Sequence, residues 1–138
     1  MPRITWPLEH DRPVVHVQFV EIASGHRETR MLLADTGAGG LYAPFELILR
    51  ASDCQRYMGL RSSDDVALGG AIIGTYPIYA MRVEIPALSV ARRVRVVAVS
   101  DTACPTGMDG IACFRFLSAF TYGNFGDRRR FGLETAGP

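Results

Sequence analysis

Apolar and polar residues alternate along several stretches of this chain, and this pattern restricts the fold to a largely β structure. Residues 14–22 alternate as a half-buried strand does, and residues 28–34 return after a turn as a second strand. Further strands are predicted at residues 79–85 and 94–99, and residues 121–133 have the pattern of a closing hairpin. Short strands at regular spacing favour a small closed or sandwiched β domain.

Few segments have helical character. Pro44 suits the first turn of a helix, and the apolar residues from Phe45 to Leu60, Met58 among them, predict one helical or irregular stretch over the sheet. Residues 110–120 carry apolar side chains at a helix-like spacing. The predicted fold class is therefore all-β with one or two short helices, and the 138 residues are the size of a single domain, residues 1–138.

The composition argues against several function classes. A formal net charge of +1 provides no broad field to attract nucleic acid or an anionic membrane. Three cysteines without a C-x-x-C pair predict free thiols, and three scattered histidines predict no metal site. No apolar run approaches the ~18 residues of a membrane span, and residues 1–13 lack the apolar stretch of a signal peptide. We therefore expect a soluble cytoplasmic protein without membrane contact.

A polar, glycine-rich loop follows the second predicted strand directly, with the sequence Asp35-Thr36-Gly37-Ala38-Gly39-Gly40. Gly37 allows backbone torsions that a side chain would forbid, and it brings amide groups close enough to hydrogen-bond the Asp35 carboxylate. The Thr36 hydroxyl can tie this loop to a neighbouring one, and Ala38 leaves space for a substrate. We predict that Asp35 is catalytic and that Thr36, Gly37 and Ala38 support its loop.

A hairpin rich in glycine is predicted in the middle of the chain. Gly69, Gly70 and Gly74 interrupt its apolar residues, as expected of a mobile hairpin rather than a central strand. Such a hairpin has hinge freedom and backbone donors for an extended peptide bound as an added strand. We predict a substrate-binding flap made of Leu68, Gly69, Gly70, Ala71, Ile72, Ile73 and Gly74; the alternative is an ordinary exposed hairpin.

Residues 32–38, Leu-Leu-Ala-Asp-Thr-Gly-Ala, resemble the active-site loop of retroviral-type (retropepsin-like) aspartic peptidases. That family has two strands before this loop, a glycine-bearing flap after it, and a late Gly-apolar-apolar-Gly segment that leads into a short helix. Residues 14–34, 68–75 and 110–117 correspond to these parts, so the resemblance extends from residue 14 to residue 117. It implies a small acid-protease β-barrel in which Gly110, Ile111, Ala112 and Cys113 pack beside the catalytic loop.

The late segment departs from the family pattern at two positions. Cys113 stands where the segment usually ends in glycine, and Arg115 stands where an acidic or amide residue is frequent. A thiol side chain at position 113 either displaces Asp35 or fills a slightly wider gap. The sequence leaves both alternatives open.

The resemblance also implies a homodimer, because a chain with one such motif carries half of the catalytic apparatus. Two Asp35 side chains in contact would share one proton, the behaviour for which aspartic proteases are the usual example. The expected function is that of an aspartic endopeptidase acting on a peptide or protein substrate, with no cofactor and no metal. Because Ala38 cannot donate the hydrogen bond of a hydroxyl residue to the carboxylate, we expect a mildly acidic to near-neutral pH optimum.

These residues allow three other interpretations. A catalytically inactive retropepsin-like dimer, acting as a peptide-binding or structural module, would result if Cys113 and Arg115 have spoiled the active site. A phosphate-binding loop of the sugar-kinase type is disfavoured, because such folds need two large lobes. Asp101-Thr102-Ala103 also follows an apolar strand and could be a second catalytic motif, but it lacks the glycine, so Asp101 is interpreted as a turn residue. Asp109, which precedes Gly110, is likewise interpreted as a turn residue.

Overall fold

The computed structural model describes residues 2–57 and 60–136, and for residues 60–63 it describes the backbone alone. Half of the chain is strand and about a tenth is helix, which confirms the mostly β prediction. The strands are β1 (Arg3–Pro7), β2 (Val14–Val20), β3 (Arg27–Ala34), β4 (Leu47–Arg50), β5 (Leu60–Leu68), β6 (Gly74–Ile85), β7 (Val90–Val99), β8 (Gly110–Ala112), β9 (Thr121–Gly123) and β10 (Arg130–Glu134). The helices are α1 (Ala51–Arg56) and α2 (Phe114–Leu117), with a 3-10 turn at Pro86–Leu88.

Six strands close into a barrel in the order β2, β3, β8, β4, β7 and β6, and β6 pairs back with β2 at Gln18 and Phe19. Strand β5 pairs with β6 and extends the barrel as a hairpin. The terminal strands form a separate antiparallel sheet in the order β1, β10, β9. The closed barrel with two short helices agrees with the predicted fold class at this level of detail.

Strand β8 lies between β3, to which it is parallel, and β4, to which it is antiparallel. The parallel register pairs Ala34 with Ala112, the last residues of β3 and β8. Because parallel strands end at the same edge of a sheet, the loops that follow β3 and β8 emerge side by side. Segments almost 80 residues apart in sequence are thus brought together at one end of the barrel.

The helical interpretation of the stretch after Pro44 is wrong for residues 47–50, which form strand β4. This run is apolar without alternation because β4 is a central strand buried between β7 and β8, and such a run resembles a buried helix in sequence. A helix does follow, α1, while Met58 of the predicted stretch lies outside the described residues. Residues 110–112 are likewise a strand, and only Phe114–Leu117 of that apolar segment are helical.

The apolar interior has two parts. The larger cluster fills the barrel and includes Phe19, Leu32 and Phe116, all fully buried. The smaller cluster lies at the end of the barrel beside the loop after β3, and its buried members are Phe45, Ile48, Ile78, Val97, Val99, Ile111 and Cys113. Trp6 stacks on His16 with ring centroids 5.5 Å apart, which joins the terminal sheet to the barrel.

Candidate active site

Asp35 lies at the carboxyl end of β3, where the strand passes into the glycine-rich loop. Its amide donates a hydrogen bond of 3.0 Å to the Ala112 carbonyl, so β8 fixes the backbone at this position. The loop then turns back, since the Ala38 amide donates to the Asp35 carbonyl and the Ala38 carbonyl accepts from the amide of Phe114. The position of the carboxylate is therefore set by backbone contacts with β8 and the start of α2.

The Asp35 carboxylate is hydrogen-bonded within its own loop. Oδ1 accepts a bond of 2.9 Å from the Gly37 amide, as the sequence predicted. A Cβ at position 37 would lie only 3.2 Å from that oxygen, so a side chain there would crowd the carboxylate. The Thr36 side chain is exposed, and its hydroxyl makes no hydrogen bond with the described residues. Its predicted task of tying the loop to a neighbour is not fulfilled within the described chain.

A cleft of about 250 Å³ opens beside the carboxylate. The loop side of the cleft is formed by Asp35, Gly37, Ala38 and Gly39, and its other walls by Phe45, Ile48, Leu68, Gly69, Gly70, Ala71, Ile72 and Ile111. Asp35 is the one ionisable side chain in this lining, and most of the others are apolar. The cleft thus combines a single acid with surfaces suited to apolar groups.

The predicted flap is the connection of the β5–β6 hairpin, and most of it faces the cleft. Residues 68–72 line the cavity opposite the Asp35 loop, whereas Ile73 points outward and is 75% exposed. Tyr76 supports the hairpin end, because its hydroxyl donates a 2.7 Å hydrogen bond to the Ile73 carbonyl. Gly74 has a positive φ of 133° and lies against the Tyr76 ring, so a side chain at this position would be strained and crowded.

The predicted packing segment also lies beside the loop, and each of its residues has a separate contact. Gly110 approaches β4 so closely that a Cβ would lie 2.2 Å from the Ile48 carbonyl oxygen. Ile111 lines the cleft, and Ala112 accepts the hydrogen bond from Asp35 described above.

Cys113 is fully buried in the smaller apolar cluster, and its amide donates to the Glu46 carbonyl. Burial, with a smaller contribution from the nearby negative charge of Asp35, raises the pKa of the Cys113 thiol to about 12. The thiol packs within the apolar cluster, and the Asp35 amide donates its hydrogen bond to the Ala112 carbonyl beside it. The second departure, Arg115, points away from the cleft and donates from Nη1 to the Ala43 carbonyl at 2.7 Å.

Two residues of the predicted helical stretch contribute to the site. Phe45 and Ile48 line the cleft, whereas the sequence pattern predicts that both lie in a helical or irregular segment over the sheet. Their position depends on the pairing of β4 with β8, which no local pattern specifies.

Asp109, interpreted as a turn residue, fixes the start of β8. Its amide donates to the Met31 carbonyl, and its carboxylate accepts from the Met31 amide, both at 2.9 Å. Arg50 adds an ion pair of 3.2 Å to the same carboxylate. The Asp109 side chain therefore fixes the register of β8 on β3, and with it the position of Ala112 beside Asp35.

A buried ion cluster lies next to Asp109, because Arg50 pairs with both Asp109 and Asp53. Asp53, only 4% exposed, receives hydrogen bonds from both Arg30 and Arg50, which join α1 to β3 and β4. Burial alone would raise the pKa of Asp53, but the bonds from the two guanidinium groups outweigh it and leave the pKa below its usual value. The cluster is structural, since none of its members lines the cleft.

The remaining polar candidates do not join the site. Asp101 accepts a 3.1 Å hydrogen bond from the Ser52 amide and does not line the cleft, in agreement with a turn residue. Among residues 2–57 and 60–136 no group of three or more His, Cys, Asp or Glu side chains is arranged to hold a metal ion, and no helix is long and apolar enough to span a membrane.

Comparison with known proteins adds no family assignment. The sequence matches no protein-family model, and a search of curated proteins finds no significant match.

Proposed function

We propose that this chain is one subunit of a homodimeric aspartic endopeptidase, in which two Asp35 side chains activate a water that hydrolyses a peptide bond. The observation that carries this proposal is the position of the Asp35 carboxylate. It lies in an otherwise uncharged cleft, held by a loop amide, opposite a glycine-rich hairpin. The resemblance of residues 32–38 to the retropepsin-like catalytic loop supports the same reaction.

The need for a second subunit follows from acid-base chemistry. Peptide hydrolysis of this kind requires a base to take a proton from water and an acid to protonate the carbonyl oxygen. The described cleft of one chain contains a single carboxyl group. A second copy related by a two-fold axis would supply the other, and the exposed Thr36 hydroxyl would be free to bond across that axis.

In the proposed reaction, the ionised Asp35 takes a proton from water while the water oxygen attacks the scissile carbonyl carbon. The protonated Asp35 of the other subunit donates its proton to the carbonyl oxygen, which gives a tetrahedral diol. Collapse of the diol breaks the C–N bond, as the first carboxyl passes its proton to the leaving nitrogen and the second recovers one from a diol hydroxyl. Atoms and protons balance with water as the sole co-reactant.

The cleft suits an extended peptide with apolar side chains beside the cleaved bond. Phe45, Ile48 and Ile111 provide apolar walls, and residues 68–72 of the hairpin line the same cleft as the carboxylate. A strand-like substrate between loop and hairpin would hydrogen-bond mainly through its backbone. Affinity would come from the backbone, and selectivity from the shape of the apolar walls.

The inactive alternative depends on Cys113 and Arg115. Cys113 is accommodated without loss of the hydrogen bond between Asp35 and Ala112, and Arg115 points away from the cleft. Neither contact gives a reason for inactivity, so we favour the active enzyme. The alternative predicts a dimer that binds peptides without cleaving them.

The test is cleavage of a mixed peptide library by the full chain, with products identified by mass spectrometry from about pH 3 to pH 8. We expect cleavage between apolar residues that is lost in Asp35→Asn. The matched control is Asp101→Asn, since Asp101 also follows a strand and precedes a threonine but lies outside the cleft. A folded dimer that cleaves no peptide, or activity that survives Asp35→Asn, would contradict the proposal.

A further inference from the structure

A second, open groove of about 580 Å³ lies next to the cleft and shares no lining residue with it. The same segment of chain contributes to both, since Gly39 and Phe45 line the cleft while Leu41, Tyr42 and Glu46 line the groove. Arg92 and Arg115 form much of the remaining surface. A molecule that extends from the cleft past this segment would therefore meet a separate recognition surface.

The groove combines exposed apolar surface with positive charge. The Tyr42 side chain is 93% exposed, and Leu41 beside it is also exposed. Large apolar side chains exposed together on a surface are typical of interaction sites. Tyr42 is of the type that contributes most to such contacts, because its rigid ring buries a large area and its hydroxyl remains hydrated.

The charges of the groove do not cancel. Glu46 is buried and is bound by Arg92 at 2.7 Å, so its negative charge is already compensated. Arg115 donates one hydrogen bond to the uncharged Ala43 carbonyl, and it forms no ion pair with a carboxylate of the described residues. The groove thus has an excess positive charge on a guanidinium group that is fixed in position by its bond to Ala43.

We propose that this groove is an exosite that binds an acidic segment of the polypeptide substrate, with a carboxylate at Arg115 and an apolar or aromatic side chain against Tyr42 and Leu41. The inference rests on the proposed peptidase function and adds to it a substrate class. Arg115 has a guanidinium geometry that matches a carboxylate in two parallel hydrogen bonds. The small cleft selects apolar residues, and the groove selects substrates that also carry acidic residues outside the cleaved sequence.

The first experiment measures binding without cleavage. Fluorescence anisotropy of the full-length Asp35→Asn protein is recorded with a labelled peptide that contains Glu, Tyr and Leu, and with a matched peptide in which Gln replaces Glu. We expect the acidic peptide to bind about three- to tenfold more tightly, and the preference to disappear at about 0.5 M salt. Equal binding of the two peptides overturns the exosite.

Variants locate the binding surface. Arg115→Gln and Tyr42→Ser are each expected to remove most of the preference for the acidic peptide. Because the Tyr42 side chain is 93% exposed, Tyr42→Ser should leave the folding of the protein unchanged. Arg129→Gln is the control, because the Arg129 side chain is 92% exposed in the turn between β9 and β10. A preference that persists in both groove variants, or that is lost equally in Arg129→Gln, contradicts the assignment.

Two further outcomes separate the exosite from the peptidase proposal. Cleavage assays compare KM for substrates with acidic and with amide extensions, and a change in KM without a change in kcat is expected. Cleavage with no preference for the acidic extension rejects the exosite alone, whereas tight acidic binding without any cleavage rejects the peptidase alone. If Tyr42→Ser instead abolishes dimerisation in sedimentation, the occupant is a second copy of the chain and the proposed substrate site is wrong.

Discussion

Gly110→Ala is expected to destabilise the protein because it forces β4 and β8 apart. An added Cβ would lie 2.2 Å from the Ile48 carbonyl oxygen, whereas a relaxed carbon-oxygen contact needs about 3.3 Å. The two strands would have to separate by roughly 1 Å, which strains the surrounding core and weakens the pairing of Leu49 with Gly110. Overpacking together with one weakened ladder hydrogen bond gives a loss of about 2–4 kcal/mol in the free energy of unfolding.

Urea denaturation followed by tryptophan fluorescence measures this loss, since Trp6 is buried in the core. For a chain of this length the same loss corresponds to a decrease in Tm of roughly 7–14 °C. Gly40→Ala is the matched control, because a Cβ at position 40 meets no atom within 4 Å. A Gly110→Ala variant within about 0.5 kcal/mol of the wild type would refute the close approach of the two strands.

Three further predictions concern other parts of the structure. Asp53→Asn is expected to cost about 2 kcal/mol at neutral pH, because it weakens the charge-assisted hydrogen bonds that Arg30 and Arg50 donate at a largely buried site. Arg30 keeps its ion pair with Glu28, and Arg50 keeps its ion pair with Asp109. Folding lowers the pKa of Asp53, so the stabilisation by its carboxylate is present above about pH 4 and is lost as the pH falls toward the pKa of Asp53 in the folded protein. The free energies of unfolding of variant and wild type should therefore converge in acid. A difference between them that stays constant with pH would contradict this. The Cys113 thiol, with its pKa raised to about 12 by burial, should resist iodoacetamide at pH 8 in the folded protein and react only on unfolding, as mass spectrometry would show; rapid labelling of the folded chain would disprove its burial. Tyr76→Phe removes the hydrogen bond to the Ile73 carbonyl and should speed amide hydrogen exchange of residues 69–74 about two- to fivefold, whereas unchanged exchange would show that this bond does not hold the hairpin.

The parts of the fold that the sequence predicted are those whose patterns are local. Strand β2 has one face in the barrel interior, so its alternation is visible in the sequence, and β3 follows it after a short turn. The β5–β6 hairpin and the β9–β10 hairpin are marked by glycines at their turns. The predicted loop and late segment also lie together, because the loop follows β3 and the late segment is formed by β8, the parallel neighbour of β3.

The parts that were not predicted depend on distant contacts. Strand β4 carries no alternation because it is enclosed by β7 and β8, and β1 pairs with β10 from the opposite end of the chain. The anchoring role of Asp109 appears only when β8 is placed beside β3. The effect of a cysteine at position 113 depends on the width of a gap between packed segments, which a sequence pattern does not contain.

The distance between the two Asp35 carboxyl groups in a crystal structure of the dimer decides whether they form one catalytic pair. We expect the nearest oxygens of the two groups to lie within hydrogen-bond contact, about 2.5–3.0 Å, across a two-fold axis. A monomer in solution and in the crystal, or a dimer in which the two carboxyl groups are far apart and separately solvated, would contradict it.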